Sequence, residues 1–182
     1  MKNNLKLELK NSVEEIVNKK EVELIANYTL NIFNNYTVEL LKNRGFSKYT
    51  ISPELGKNDI LKMSNSINKE MIVYGRTLLM TSQYCFIGKN GKCGRKCEKG
   101  DWILKDRLGY EFPIYTDTTN CNSLIYNSKI TSIQANNLNV DSIRIDILDE
   151  DIQQINEIIK THLLGNRLEG EEYTNGNLNK EI

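Results

Sequence analysis

Along the chain, apolar residues switch repeatedly between helical and alternating spacing. In "NSVEEIVNKK", Val13, Ile16 and Val17 fall on one helical face behind Asn11 or Ser12 as cap, so residues 11–20 predict a short amphipathic helix. In "EVELIANYTLNIFN" the pattern turns to alternation, Val22, Leu24 and Ala26 and then Tyr28, Leu30 and Ile32, which predicts a strand. "NYTVELLKNRG" returns to helical spacing through Val38, Leu40 and Leu41, with Gly45 placed to end the helix. "FSKYTISPEL" is a short β-rich run stopped at Pro53, and "GKNDILKMSNSIN" predicts another helix.

The second half is richer in strands. "EMIVYGR" predicts a strand made of Met71, Ile72, Val73 and Tyr74, followed by Gly75, where the backbone can bulge or be closely approached. "WILKDRLGYEFPIY" predicts a hairpin, two apolar runs flanking "DRLG" with Gly109 free to take a positive φ. "CNSLIYNS" gives a strand around Leu124 to Tyr126, and "VDSIRIDIL" another through Ile143, Ile145 and Ile147. "DEDIQQINEIIKTHLLG" is the clearest helix, with Asp149 as its expected cap and a stripe of Ile152, Ile155, Ile158, Ile159 and Leu163. The tail, residues 166–182, has no apolar period and is expected to be loosely held.

Strands alternating with helices point to parallel βα units. About four core strands are countable, whereas a complete (β/α)₈ barrel takes roughly 250 residues. The expected fold is therefore α/β: a partial TIM-barrel-like (β/α) domain, or a small open sheet, with a cysteine-rich loop and a hairpin inserted.

Charge narrows the function classes. Lys and Arg number 24 and so do Asp and Glu, so no global field draws the chain to nucleic acid or anionic lipid. The start lacks an apolar leader, and no stretch approaches the roughly 18 apolar residues of a membrane span. The chain reads as cytoplasmic, without a membrane partner, and its thiols as reduced.

The four cysteines then stand out. Cys85, Cys93, Cys97 and Cys121 follow a C-x₇-C-x₃-C-x₂₃-C spacing, and the segment "GKCGRKCEKGD" is too polar and glycine-rich to be core. Glycines at 88, 91, 94 and 100 are expected to let the backbone curl around a bound group. A catalytic thiol needs a basic partner, and the single histidine, His162, lies on the distant last helix. Zinc sites usually show two close Cys pairs, and here there is one. An irregular all-Cys set suits an iron–sulfur cluster, with zinc as the alternative. Lys89, Lys92, Arg95, Lys96 and Lys99 would offset the charge of thiolate ligands.

Other residues carry weaker signals. Glu54 in "SPEL" is a candidate catalytic acid at a strand end, or else a helix cap or first-turn acid. Arg76 ends a strand beside the cysteine region and is read as a substrate-anion or cluster-orienting group ahead of a surface ion pair. Asp106 and Arg107 are read as hairpin-turn residues, Arg144 and Asp146 as an internal pair or a catalytic one. Asn31, Asn34 and Asn127 are read as turn and cap residues.

Five segments, "LNIFNNYTVELLKNRGFSKYTISPEL", "EMIVYGRTLLMTSQYCFIG", "KCGRKC", "LKDRLGYEFPIY" and "CNSLIYNS", together resemble the collagenase-like U-type peptidases, family number thirty-two, over about residues 22 to 165. The resemblance implies a TIM-barrel-like fold, and in many members a four-cysteine [4Fe–4S] cluster. It also implies either a collagenase-like protease or a role in oxygen-independent hydroxylation of RNA bases or the ubiquinone ring. Carried over, the cluster ligands are Cys85, Cys93, Cys97 and Cys121, with Gly75 and Arg76 in a "GR" motif and Asp106 and Arg107 in a "KDR" motif. Cys85 lies ten residues beyond Gly75, as in the family's longer "LM…YC" variant.

On this resemblance the chain divides into a lead-in (1–21), the C-terminal half of a family barrel (22–165) carrying the cysteine insertion (80–121), and the tail (166–182). The expected partner is the missing N-terminal barrel half or another subunit, and the expected substrate RNA, a small molecule or a peptide. Iron–sulfur-dependent hydroxylation or RNA modification leads. Peptide hydrolysis, and a non-catalytic half-barrel awaiting a partner, are the alternatives.

Overall fold

The structure, a computed structural model, describes residues 22–88, 93–98 and 100–179. The helix expected over 11–20 lies outside them. The described residues divide into two compact units, whose boundary falls inside two strands. The first holds those up to Ile72, Ala135–Arg144 and those from Asn177. The second holds Val73–Gln134 and Ile145–Gly176.

The first unit is a parallel βαβαβ arrangement. Strands β1 (Ile25–Ala26), β2 (Lys48–Thr50) and the beginning of β3 (Asn68–Gly75) pair in parallel, with Ala26 opposite Tyr49 and Thr50 opposite Glu70. Helix α1 (Asn35–Asn43) connects the first two, and α2 (Lys57–Lys62) the second and third. Asn34 caps α1 by accepting the Thr37 N–H at 2.9 Å. Gly45, at φ 83°, ends the helix as its sequence position predicts. The core gathers Tyr49, Ile51, Val38, Leu41, Ile60 and Met71. Lys69 is fully buried there, its Nζ donating to the carbonyls of Ile60 (3.3 Å) and Met63 (3.0 Å) at the end of α2. An ammonium at a helix C-terminus meets carbonyls that have no intrahelical donor.

The alternation over Tyr28–Ile32 does not become a strand. Asn27 accepts from the Tyr28 N–H, Tyr28–Leu30 forms one 3-10 turn, and Asn31 closes it in the left-handed region at φ 51°. A side-chain cap immediately before a short run outweighs its β pattern.

The second unit is mainly antiparallel. Tyr74 and Gly75 of β3 pair antiparallel with β8 (Ile130–Ser132), which pairs in parallel with β10 (Tyr173–Thr174). β9 (Ser142–Ile145), the strand expected in "VDSIRIDIL", also pairs with β3. A separate four-stranded sheet has the order β4 (Leu78–Ser82), β7 (Asn122–Tyr126), β6 (Glu111–Asp117), β5 (Trp102–Lys105), with every neighbour antiparallel. Helix α3 (Ile152–Leu163) buries Ile158 and His162, whereas Ile152 and Leu163 of the expected stripe are 73% and 72% exposed. Its cap is Asp151 and not Asp149: Asp151 accepts the Gln154 N–H, and Gln154 returns the bond, both at 2.8 Å.

The fold is thus mixed α/β, with no closed barrel among the described residues. The expectation of parallel units holds for β1–β2–β3. It fails for the sheet of β4 to β7, where the short turns at 106–110 and 118–121 leave β5, β6 and β7 able to pair only antiparallel, and β4 joins β7 antiparallel as well. The tail is more firmly tied than its sequence suggests. Beyond β10, the Leu168 N–H donates to Ser132 Oγ at 2.8 Å, and the Ile130 N–H to the Glu172 carbonyl at 2.8 Å. No helix among the described residues is long and apolar enough to cross a membrane.

Candidate metal centre

Strand directions in the four-stranded sheet gather the cysteines. Ser82 at the end of β4 is opposite Ser123 in β7, Asp117 at the end of β6 is opposite Asn122, and β5 begins at Trp102 opposite Ile114. The β4–β5 connection, carrying Cys85, Cys93 and Cys97, and the β6–β7 turn, carrying Cys121, therefore leave from the same end of the sheet.

Local bonds shape each approach. Tyr84 is held to the sheet by its carbonyl, which accepts from Ser123 Oγ at 3.1 Å, and by its N–H, which donates to Ser82 Oγ at 3.0 Å. Cys85 follows, its Sγ accepting the Gly88 N–H at 3.2 Å. Cys97 lies in a 3-10 turn, Lys96–Glu98, beside β6. Arg95 enters that turn at φ 49° and clamps Glu98 Oε1 with Nε at 2.9 Å and Nη2 at 2.6 Å. On the other side, Asp117 builds the β6–β7 turn by accepting the N–H groups of Thr119 (2.9 Å) and Asn120 (3.2 Å). Bonds from Asn120, its side chain above all, hold the Asp117 carboxyl below its usual range. Cys121 closes the turn at φ 54°.

Of the four glycines expected to let the loop curl, Gly88 turns its N–H onto the Cys85 sulfur and Gly91 lies outside the described residues, while Arg95 and Cys121 take left-handed conformations. Loop polarity was legible in the sequence, but which residue would turn was not.

Cys85, Cys93 and Cys97 line one concavity of about 120 Å³ with Gly88, Arg95 and Lys96, while Cys121 does not line it. All four thiols are free, and Cys97 is the least exposed. Arg95 is held above its ordinary value, first by its bond to Glu98, with Cys93 and Cys97 adding to the effect.

The donors suit a thiophilic group: thiols, one amide N–H already on sulfur, two cations, and no carboxylate or imidazole in the lining. The buried Trp102 Nε1, at the same end of the sheet, has no hydrogen-bond partner among the described residues. No three His, Cys, Asp or Glu side chains among the described residues converge closely enough to ligate one ion. Lys89, Lys92 and Lys99 lie outside the described residues.

The other candidates make contacts of their own. Arg76 Nη1 donates to the carbonyls of Asn127 (2.9 Å) and Ser128 (2.7 Å), pinning the loop after β7. Glu54 belongs to the first unit, exposed in a turn, where its N–H donates to Ser52 Oγ at 3.3 Å. It is not the cap of α2, a place held by Gly56, nor the first-turn acid, which is Asp59. Asp106 is a turn residue as read, its Oδ1 accepting from Leu108 (2.8 Å) and Tyr110 (2.9 Å). Arg144 donates to Asn27 Oδ1 at 3.0 Å. Gly75 meets its expectation of close approach: at φ +132°, an added Cβ would lie 2.6 Å from the Asp146 carbonyl oxygen. His162 is buried against Tyr74 and does not line the cysteine concavity.

The family model "Peptidase family U32" matches residues 11–170. The chain belongs to this family. No curated protein and no solved structure matches it.

Proposed function

We propose that this chain is an iron–sulfur member of peptidase family U32, holding a [4Fe–4S] cluster through Cys85, Cys93, Cys97 and Cys121. We assign it to oxygen-independent hydroxylation, of RNA bases or of a small molecule. The observation that carries this reading is the concavity lined by three free thiols beside Arg95 and Lys96. A bound cluster supplies one-electron chemistry. The chain's own groups bind and tune it: thiolates as ligands, the Gly88 N–H on sulfur, and two cations offsetting negative charge.

A second reading, peptide hydrolysis, is favoured by the family's description. Against it stands the burial of His162, the natural base for a thiol nucleophile, away from the cysteines.

Protein purified without oxygen should be brown and carry about four irons per chain with matching sulfide. Cys85→Ser or Cys97→Ser should remove most of that iron. Colourless protein with one zinc and no iron would replace the cluster with a zinc site. Robust gelatin cleavage by a quadruple Cys→Ser variant would transfer the assignment to the peptidase reading.

A further inference from the structure

Two serines meet at the end of the sheet from which the cysteine loop leaves. Ser82 ends β4, and Ser123 of β7 lies directly opposite it. Opposed residues share a face, so both hydroxyls project from the same side of the sheet. Both then bond one and the same residue. The Tyr84 N–H donates to Ser82 Oγ at 3.0 Å, and the Tyr84 carbonyl accepts from Ser123 Oγ at 3.1 Å. Ser123 is buried, so losing that carbonyl would leave a buried donor unpaired.

The residue so held exposes 69% of its own surface, and the next in the chain is Cys85. Beyond Cys85, Ile87 is buried, and the Gly88 N–H donates to Cys85 Sγ at 3.2 Å. This thiol is therefore fixed from both sides, by the serine clamp before it and by an apolar anchor and an amide after it. The clamp also crosses between two cysteine-bearing segments. Ser82 stands three residues before Cys85, and Ser123 two residues after Cys121. The Ser123 bond ties the approach to Cys85 to the strand that leaves Cys121.

We propose that Ser82 and Ser123 are positioning residues that preset Cys85 relative to Cys121 for the group the cysteines bind. A thiol whose backbone is already placed loses less freedom when it ligates, so the same ligands bind more tightly. The serines act through the Tyr84 backbone and not as ligands. This inference rests on the reading of the cysteines as ligands, but it also has a readout that needs no metal.

Amide exchange in the reduced, ¹⁵N-labelled full-length chain reads the clamp itself. In Ser123→Ala the Tyr84 and Gly88 amides should exchange about tenfold faster. Those of Leu124 and Ile125 should keep their protection, showing that β7 is intact. Titration with cadmium ions alone, in competition with a chelator, reads the consequence. Ser123→Ala should bind the same number of ions about tenfold more weakly. Ser123→Thr, which keeps a hydroxyl, should recover most of that loss. Ser82→Ala, at a half-buried position, should move both readouts in the same direction. Unchanged exchange at Tyr84 and Gly88 in both alanine variants would overturn the clamp. Faster exchange with unchanged cadmium affinity in both would overturn its positioning role and leave the ligand reading standing. A wild-type chain that binds no cadmium would overturn the ligand reading, and the positioning role with it.

Discussion

The imidazole of His162, the single histidine of the chain, lies edge-on to the Tyr74 ring at 5.9 Å, with its Nε2 buried and without a hydrogen-bond partner among the described residues. Burial pushes the ring below the usual value of 6.5, opposed by its hydrogen bond to the Ile133 backbone. The folded ring stays neutral where the unfolded ring takes up a proton. Between the lowered value and about 6.5 the unfolded state therefore binds more protons, and stability falls as pH falls. Above about 6.5 the contribution is complete. The melting temperature should drop from about pH 7 to about pH 5, and the drop should be shallower in His162→Phe. Equal slopes in the two proteins would place the acid sensitivity elsewhere. At this scale the sequence was legible wherever a residue acts on its own neighbours: Asp106 in its turn, Asn34 at its cap, Gly75 at its close approach. It was silent on Trp102 and Lys69, whose surroundings come from distant segments.

At the scale of elements, local signals competed with tertiary ones. Three consecutive acids, Asp149, Glu150 and Asp151, precede α3, and either aspartate is a competent cap by sequence. Tyrosines decide among them. The Tyr115 hydroxyl donates to Asp149 Oδ2 at 2.7 Å, the Tyr74 hydroxyl to Glu150 Oε1 at 3.0 Å, and Asp151 is left to cap. Asp151→Ala should destabilise the protein by about 1 kcal/mol, read as a lower urea midpoint. Asp149→Ala should leave the helix content, seen by circular dichroism, unchanged. The hairpin of β5 and β6 was readable because apolar runs flank a turn. β8 and β10 were not, since three and two residues are too few to show a period. β4 was hidden inside the cysteine region, where three of its five residues are exposed.

At the scale of the whole molecule, the family resemblance carried by five segments of sequence is borne out by the match over residues 11–170. Barrel closure is a different kind of property. It depends on how sheets continue, which period and capping cannot report, and the described strands combine parallel and antiparallel pairing without closing. The cysteine centre was legible as a set of residue types; its gathering at one sheet end required the register of four strands. The buried Lys69 has a use of its own here. Its amine is shut inside the first unit while that of Lys62, seven positions earlier, is 76% exposed. In brief pulses of an amine-acylating reagent, Lys62 should be modified at once, and Lys69 only as denaturant approaches the unfolding midpoint. Mass spectrometry of the two peptides would show this, and early modification of Lys69 would reveal that the first unit opens well before it unfolds. A single native side chain thus serves as an internal timer for the opening of half the protein, with no label engineered in.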